Sequence, residues 1–334
     1  MYDTILLFIF GLLMLIKGGD WFVDAATGIA HRFRIPELLI GATVVSIGTT
    51  LPEVLVSATA AVGGHGEIAY GNAIGSIICN TALIAAVTVA VRPAKVDKKP
   101  LLLPICFFFG AALLYCGVAY FMGEFTREVG FILLLGFIAY IVIAAYQAVK
   151  SVPNNLADAN ADGVVTKEEE TADEIRRLGI FKDIVFLVLG AVLIAVGADL
   201  LVNKGTLIAE AVGVPESVIA LTFVALGTSL PELVTAITSL AKGHGSLSLG
   251  NVIGANLFNL VLVSGVSTVL SPFAVPNSSQ IFGMNASLVL EIPVMLGVML
   301  LLTLPAILRG KLSRAQGITL LCIYGAFITV QFIM

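Results

Sequence analysis

One hexapeptide occurs twice, and it restricts the fold of this chain more than any other feature. Gly48-Thr49-Thr50-Leu51-Pro52-Glu53 returns as Gly227-Thr228-Ser229-Leu230-Pro231-Glu232, each time inside a long apolar stretch. A hydrocarbon interior does not tolerate a carboxylate, a proline and hydroxyls unless they are used. Proline has no N–H, so Pro52 is expected to free the carbonyl of Gly48, and Pro231 that of Gly227. Each copy thus offers backbone oxygens, hydroxyls and one negative charge at membrane depth. Hard cations are coordinated by such groups.

The surrounding composition supplies the membrane. Of 334 residues, 58% are hydrophobic and 12% charged, and the mean hydropathy is +1.04. That places the chain among polytopic membrane proteins. Spans of about 20 apolar residues are expected near 4–24, 36–62, 70–91, 101–122, 128–149, 183–203, 216–240, 249–270, 285–307 and 314–333. The apolar run Ile5–Ile16 lacks a basic leader and a small-residue cleavage site, so it is expected to be a retained first span. The basic residues are few and scattered, which excludes a nucleic-acid partner. The expected partners are the lipid bilayer and small cations, with no protein partner implied. Cys79, Cys106, Cys116 and Cys322 lie within apolar segments without metal-like spacing and are expected to act as small buried hydrophobes.

The duplication extends well beyond the hexapeptide. Adding 179 carries Asp20 to Asp199, Pro36 to Pro215, Glu53 to Glu232, Asn72 to Asn251 and Asn80 to Asn259. Gly64-His65-Gly66 likewise becomes Gly243-His244-Gly245. Across 36–80 and 215–259 there are nineteen identities in forty-five ungapped positions, and chance hydrophobicity would not keep Pro, Glu, Gly and Asn in register. Each half holds five expected spans, so the two copies enter the bilayer from opposite sides. The predicted fold is an all-α polytopic membrane protein of ten transmembrane helices in two inverted five-helix repeats with interrupted helices. Residues 1–150 form the first repeat, 151–182 a linker, and 183–334 the second repeat. Such architecture points to alternating-access transport, with the site where the halves meet, and to a protein that is not an enzyme.

Charge sets the expected orientation. With the N-terminus outside, fifteen of eighteen basic residues fall on inner connections, among them Arg32, Arg34, Arg92, Lys95, Lys242, Arg309 and Lys311. A cell-membrane protein with both termini outside and a cytoplasmic linker follows.

On a helix, Ser46, Thr49, Thr50 and Glu53 share one broad face. The next span adds Asn72, Ser76 and Asn80 four residues apart, repeated as Asn251, Ala255 and Asn259. Gly71 and Gly75, and Gly250 and Gly254, run beside these stripes and would let helices approach closely. The polar side chains of the stripes could serve only as hydrogen-bonding glue between helices. Two glutamates with no basic residue nearby could not, because bare carboxylates are too costly in hydrocarbon. Neutralising them takes a divalent cation or protons. Carboxylate, carbonyl and hydroxyl oxygens suit Ca²⁺ better than Mg²⁺, and the absence of Cys and His from both stripes argues against zinc or copper.

The paired G-T-[ST]-L-P-E and G-N-x-I-G-[SA]-x-x-x-N motifs resemble the duplicated regions of the cation/calcium exchanger superfamily, in particular prokaryotic members of the sodium/calcium exchanger type. The resemblance covers essentially all ten spans. It implies a secondary antiporter that exchanges Na⁺ for Ca²⁺ by alternating access, extruding Ca²⁺, with both ions as transported substrates. It also implies a Ca²⁺ site made by the carboxylates of Glu53 and Glu232 with the carbonyls of Thr49 and Thr228. One flanking Na⁺ site would use Ser76, Thr228, Ser229, Glu232 and the Ala225 carbonyl. Its pseudo-symmetric mate would use Thr49, Thr50, Glu53 and the Ser46 carbonyl, and Asn80 and Asn259 would face the centre. Two positions depart from the pattern. Ala255 stands where members often have serine, and Asn259 where some prokaryotic members carry aspartate. Two carboxylates balance one Ca²⁺ or two Na⁺, and a third Na⁺ would leave net positive charge.

Residues 158–169 match D-x-[DN]-x-[DN]-G-x-x-x-x-x-E, an EF-hand-like calcium loop. Asp158, Asn160, Asp162, the Val164 carbonyl, Thr166 and Glu169 would be its ligands, holding a regulatory Ca²⁺ on the cytoplasmic linker. The alternative is an acidic solvated connection. Pro153 and Asn154-Asn155 leave little room for an entering helix, whereas Glu168–Leu178 can be helical.

Three other functions compete. A Ca²⁺/H⁺ antiporter of the same fold would put protons on the glutamates instead of Na⁺. A cation channel would use the interrupted helices as a pore, though a nearly neutralised two-carboxylate site suits binding and release better than conduction. An intramembrane aspartyl protease would use Asp20 and Asp199, which inverted symmetry places near opposite faces. His65 and His244 are expected to sit in turns, and Glu291 has no counterpart at Ala112.

Overall fold

The computed structural model describes residues 2–93, 95–151, 167–211, 227–277, 280–281 and 283–333. Among them, ten helices occupy almost the whole chain. In the first half these are α1 (Tyr2–Phe33), α2 (Glu37–Val62), α3 (Gly66–Val91), α4 (Lys98–Met122) and α5 (Arg127–Ser151). In the second they are α6 (Lys167–Ala211), α7 (Leu230–Ala241), α8 (Gly245–Leu270), α9 (Ser287–Arg309) and α10 (Arg314–Ile333). Eight of the ten are long and apolar enough to cross a bilayer. The other two are α10, with 20 residues, and α7, with 12. The expected span 216–240 is therefore described only in its second part, and Ala225 lies outside the described residues.

The helix that contains the expected span 183–203 starts earlier than hydropathy suggests. Helix α6 begins at Lys167 and runs without a break into its apolar part, Gly179–Ile208. Residues Asp158 to Thr166 of the EF-hand-like loop lie outside the described residues, as does the side chain of Glu169.

Small residues decide which helices touch. Gly11 and Gly18 of α1 face Gly197 and Gly190 of α6, so that an added Cβ would meet backbone atoms about 3 Å away. Leucine or valine at these points would drive the two helices apart. The same device seats α8 against α2, where Gly250 meets the backbone of Leu38, and Gly254 meets Ala42 and Ser46. For Gly71 and Gly75 of α3, no described residue comes within 4 Å of the would-be Cβ. The expectation of close approach therefore holds in the second repeat only.

Helices α8 and α3 are counterparts under the repeat, and they are the most enclosed, with 83% and 72% of their most apolar windows buried. Lipid-facing surfaces carry Phe10, Leu113, Leu135, Val142 and Val188, all largely exposed. Cys106 and Cys322 are also exposed and Cys116 is half-buried, so only Cys79 is the buried hydrophobe expected of all four. A cysteine thiol is small and apolar enough to sit against acyl chains as well as in a core.

The ends of the bundle differ. At one end, β1 (Glu124–Phe125) pairs antiparallel with β2 (Phe273–Ala274), joining the α4–α5 connection to the chain that leaves α8. A short hairpin of β3 (Gln280–Ile281) and β4 (Met284–Asn285) lies on the way to α9. At the other end, basic groups gather. Arg32 pairs with Asp183 at 3.0 Å, and Lys242 with Asp24 at 2.8 Å and Asp20 at 3.2 Å. Partial burial lowers the Lys242 ammonium, but its bonds to Asp24 and Asp20 outweigh that and hold it above the usual lysine range.

The Gly-His-Gly repeats are turns, as expected. The first glycine of each, Gly64 and Gly243, has φ of 81° and 89°. His65 N–H then donates to Ala60 O at 2.8 Å, and His244 N–H to Ser239 O at 2.7 Å. These are helix-ending bonds that need a left-handed residue, supplied at no steric cost by glycine.

Candidate ion-binding site

Helices α2 and α3 and their counterparts α7 and α8 carry the site. Three of the four, α2, α3 and α8, contain a wider turn. In α2 a π-helical segment, Gly41–Val45, precedes the motif, and π-helical Asn80–Ala85 and Asn259–Val263 begin at matching asparagines of α3 and α8. Wider turns leave carbonyls without their usual donors, and side chains fill in. Ser46 Oγ donates to Gly41 O at 2.7 Å, Tyr140 of α5 donates its hydroxyl to Ala42 O at 2.7 Å, and Ser264 Oγ donates to Asn259 O at 3.1 Å. Pro52 lies inside helical Ser46–Val62. Pro231 instead opens α7, after a turn in which Leu230 N–H donates to Gly227 O at 3.3 Å. The Gly227 carbonyl is therefore not freed as Pro231 alone suggested, because a tighter turn supplies the missing donor.

The expected face of α2 is buried in full. Ser46, Thr50 and Glu53 are 0% exposed and Thr49 is 2% exposed. Glu232 is also 0% exposed, with Ser229 at 2%. Glu53 and Glu232 are near enough to interact electrostatically, and the Thr49 and Thr50 hydroxyls lie toward Glu232. Among the described residues, neither glutamate forms an ion pair, and all four of their carboxylate oxygens lack a hydrogen-bond partner.

The polar side chains separate into two groups. The first group is tied up. Asn251 Nδ2 donates to Thr235 Oγ1 at 2.8 Å, and its Oδ1 accepts from Thr49 Oγ1 at 3.2 Å. Its counterpart Asn72 donates to Ser57 Oγ at 2.8 Å and to Glu53 O at 3.3 Å, and accepts from Thr228 Oγ1 at 3.3 Å. Each asparagine thus links the motif-bearing helix of its own repeat to the motif threonine of the other. Ser46 Oγ is likewise committed, to Gly41 O and to Asn251 O at 3.0 Å.

The second group is unpartnered. Thr50 Oγ1, Ser229 Oγ, both amide atoms of Asn80 and of Asn259, and the four glutamate oxygens have no partner. These are three symmetric pairs of the duplication, all buried. Ordinary cores leave few buried polar atoms unpaired, and this orphan set respects the pseudo-twofold of the duplication.

Sequence reasoning missed Ser57 and Thr235, which hold the two asparagines. Ser57 lies four residues after Glu53 and Thr235 three after Glu232, so helical periodicity extended one turn further would have found them. Cys79 also adjoins the site, beside Ser229 and Tyr324. Ser76 is buried on the expected face of α3, and Ala255 is buried at its counterpart. Of the residues set apart, Asp20 is engaged by Lys242, and Asp199 accepts from Asn203 at 2.9 Å. His244 and His31 share Glu37 Oε1, at 2.9 and 3.2 Å. Glu291 accepts from Gln331 at 3.1 Å.

Comparison with known proteins agrees with this geometry. The family model described as sodium/calcium exchanger protein matches residues 4–146 and 182–333. The chain is 32% identical to the sodium/calcium exchanger MaX1 of Methanosarcina acetivorans, over 98% of both chains. It is also 32% identical to the inner membrane protein YrbG of Escherichia coli, over 80% of this chain and 79% of that one. Among solved structures, the sodium-calcium exchanger NCX_Mj soaked with Na⁺ and Sr²⁺ superimposes with a TM-score of 0.77 at 31% identity, covering 98% of each chain.

Proposed function

The chain belongs to the sodium/calcium exchanger protein family, whose members are membrane antiporters and not enzymes, and we propose that Glu53 and Glu232 form the centre at which it binds Ca²⁺ and Na⁺ in turn. The protein is a multi-pass Na⁺/Ca²⁺ antiporter. Its ion site is the orphan set. The glutamate carboxylates hold Ca²⁺ with the carbonyls of Thr49 and Thr228. Thr50 and Ser229, with Ser76 and the Ala225 and Ser46 carbonyls, serve the flanking Na⁺ sites, and Asn80 and Asn259 face the shared centre. Asn72 and Asn251 hold the two repeats in register around it.

The observation that carries this reading is the pair of fully buried glutamates whose oxygens have no partner. An ionised pair in that position is untenable without compensating positive charge. Moving the empty site across the bilayer would drag two charges through hydrocarbon, whereas one Ca²⁺ or two Na⁺ cancels them. Only the loaded carrier crosses easily, and competition for the same oxygens couples the two ions. The basic end of the bundle lies in the cytoplasm, so that Ca²⁺ is extruded as Na⁺ enters.

Glu53→Gln or Glu232→Gln is expected to lower Na⁺-dependent ⁴⁵Ca²⁺ uptake into proteoliposomes at least about a hundredfold, because the amide removes half the charge of the site. Robust uptake by either variant would remove the assignment. Loading the vesicles with Na⁺, K⁺ or a pH gradient alone separates Na⁺ from H⁺ as the driving ion. The hydroxyls of Thr50 and Ser229 favour Na⁺.

We also propose that Asp158, Asn160, Asp162, Val164, Thr166 and Glu169 bind a regulatory Ca²⁺, on the strength of the EF-hand-like pattern. Replacing Asp158 and Glu169 together by alanine should shift the dependence of flux on cytoplasmic Ca²⁺. An unchanged dependence would dismiss the loop.

A further inference from the structure

At the basic end of the bundle, a cleft opens between the first turn of α8 and the α3–α4 connection. Its polar lining consists of Arg92, Lys95, Gly245, Ser246 and Ser248, with Thr88 behind them. Three features make it a place for an anion. The first turn of α8 has no side-chain cap, and Ser248 N–H is already given to His244 O. The amides of Gly245 and Ser246 therefore stand at the positive end of the helix dipole. Ser248 is 2% exposed, and its Oγ has no partner. Two cations complete the lining. Arg92 spends one N–H on Leu240 O at 3.3 Å and keeps its other donors, and Lys95 is exposed.

The surroundings indicate where the anion comes from. The Lys95 and Lys311 backbones form a bridge, and Val96 N–H donates to Gly310 O at 2.9 Å, so the α3–α4 and α9–α10 connections run side by side. They bring Lys98, Arg309, Lys311 and Arg314 to the same rim; the acids beside it are Asp97, turned to the Lys99 amide, and Glu37, held by His244 and His31. Several of these cations cap helix ends: Lys98 donates to Leu308 O and Arg314 to Ala90 O. Val91 and Leu308, 64% and 66% exposed, stand beside the rim as lipid-facing apolar surface. A phosphate held here would have acyl chains beside it.

We propose that this cleft binds the phosphate of an anionic phospholipid headgroup, with Arg92 and Lys95 supplying charge and Ser248 Oγ and the first amides of α8 supplying hydrogen bonds. The site is separate from the ion-binding centre and does not depend on the assignment of that centre.

Detergent-purified full-length protein, titrated with phosphatidylglycerol and followed by native mass spectrometry, tests it. The wild type should take up a first phosphatidylglycerol in preference to phosphatidylcholine. Arg92→Gln with Lys95→Gln should weaken that first event about 25-fold, at roughly fivefold per basic group. Ser248→Ala, which removes a hydroxyl that packs without a partner and so leaves the fold intact, should weaken it about tenfold. Arg127→Gln, at the opposite end of the helices, should leave it unchanged. Equal uptake of both lipids by the wild type, or equal first-lipid binding by wild type and Ser248→Ala, would overturn the proposal. So would displacement of phosphatidylglycerol by millimolar inorganic phosphate together with a raised melting temperature in phosphate alone, since the site would then belong to free phosphate.

Discussion

Asn251 and Asn259 stand eight residues apart on one helix, are equally buried, and look alike in the sequence. Their surroundings give them opposite roles. Asn251 satisfies Thr235 and Thr49, whereas both amide atoms of Asn259 are unpartnered. Replacing Asn251 by leucine should therefore cost about 1–3 kcal/mol in the ion-free protein, because Thr49 and Thr235 each lose a buried hydrogen bond. Asn259→Leu should be neutral or stabilising in the same measurement, since it removes orphaned polar atoms, yet it should slow Ca²⁺ transport. Thermal denaturation without ions, alongside flux, checks both. Equal destabilisation by the two variants would show that they belong to one class. The same reasoning sorts the hydroxyls: Thr49 is committed to Asn251, while the Thr50 hydroxyl has no hydrogen-bond partner.

At the scale of elements, glycine placement sets the contacts between helices. A side chain at Gly254 would run into Ser46 and Ala42 of α2, the helix that carries Glu53. Gly254→Val should destabilise the protein by about 1–3 kcal/mol through overpacking, and should also depress transport by displacing α2. Gly110 of α4 is exposed, with no described residue near its would-be Cβ. Gly110→Ala should be neutral or slightly stabilising, by up to about 1 kcal/mol, through helix propensity. Melting temperatures of the pair decide the matter, and equal losses would mean that Gly254 is not needed for the α2–α8 contact. The π-helical segments belong to this scale too. Hydropathy sees Glu37–Val62 as one span, but only a widened turn at Gly41–Val45 lets Ser46 and Tyr140 reach its carbonyls.

For the whole molecule, the relevant quantity is charge across the bilayer. Contacts between connections collect Arg32, Arg92, Lys95, Lys242, Lys311 and Arg314 at one end, and the β1–β2 pairing marks the other. In a background without the four native cysteines, Glu124→Cys should react with a membrane-impermeant maleimide in intact cells. Lys311→Cys should react only after permeabilisation. The reverse pattern would invert the protein and turn the proposed Ca²⁺ extrusion into uptake.

Much of this was legible in the sequence, for physical reasons. Apolar length announces a span because the bilayer has one thickness, and a repeat in register announces two related halves. A carboxylate in hydrocarbon announces a cation. Helical periodicity also placed Ser46, Thr49, Thr50 and Glu53 on one buried face. It could not say which polar groups are consumed, because Thr49 meets Asn251 and Thr228 meets Asn72 only when distant parts of the chain pack together. Nor could it tell that Gly250 and Gly254 are crowded by α2 while no described residue crowds Gly71 and Gly75, or that the Leu230 N–H satisfies the Gly227 carbonyl that Pro231 cannot. A sequence carries the chemistry and spacing of groups along one helix. Partnership between groups depends on distance across helices, and that was decided by the tertiary fold.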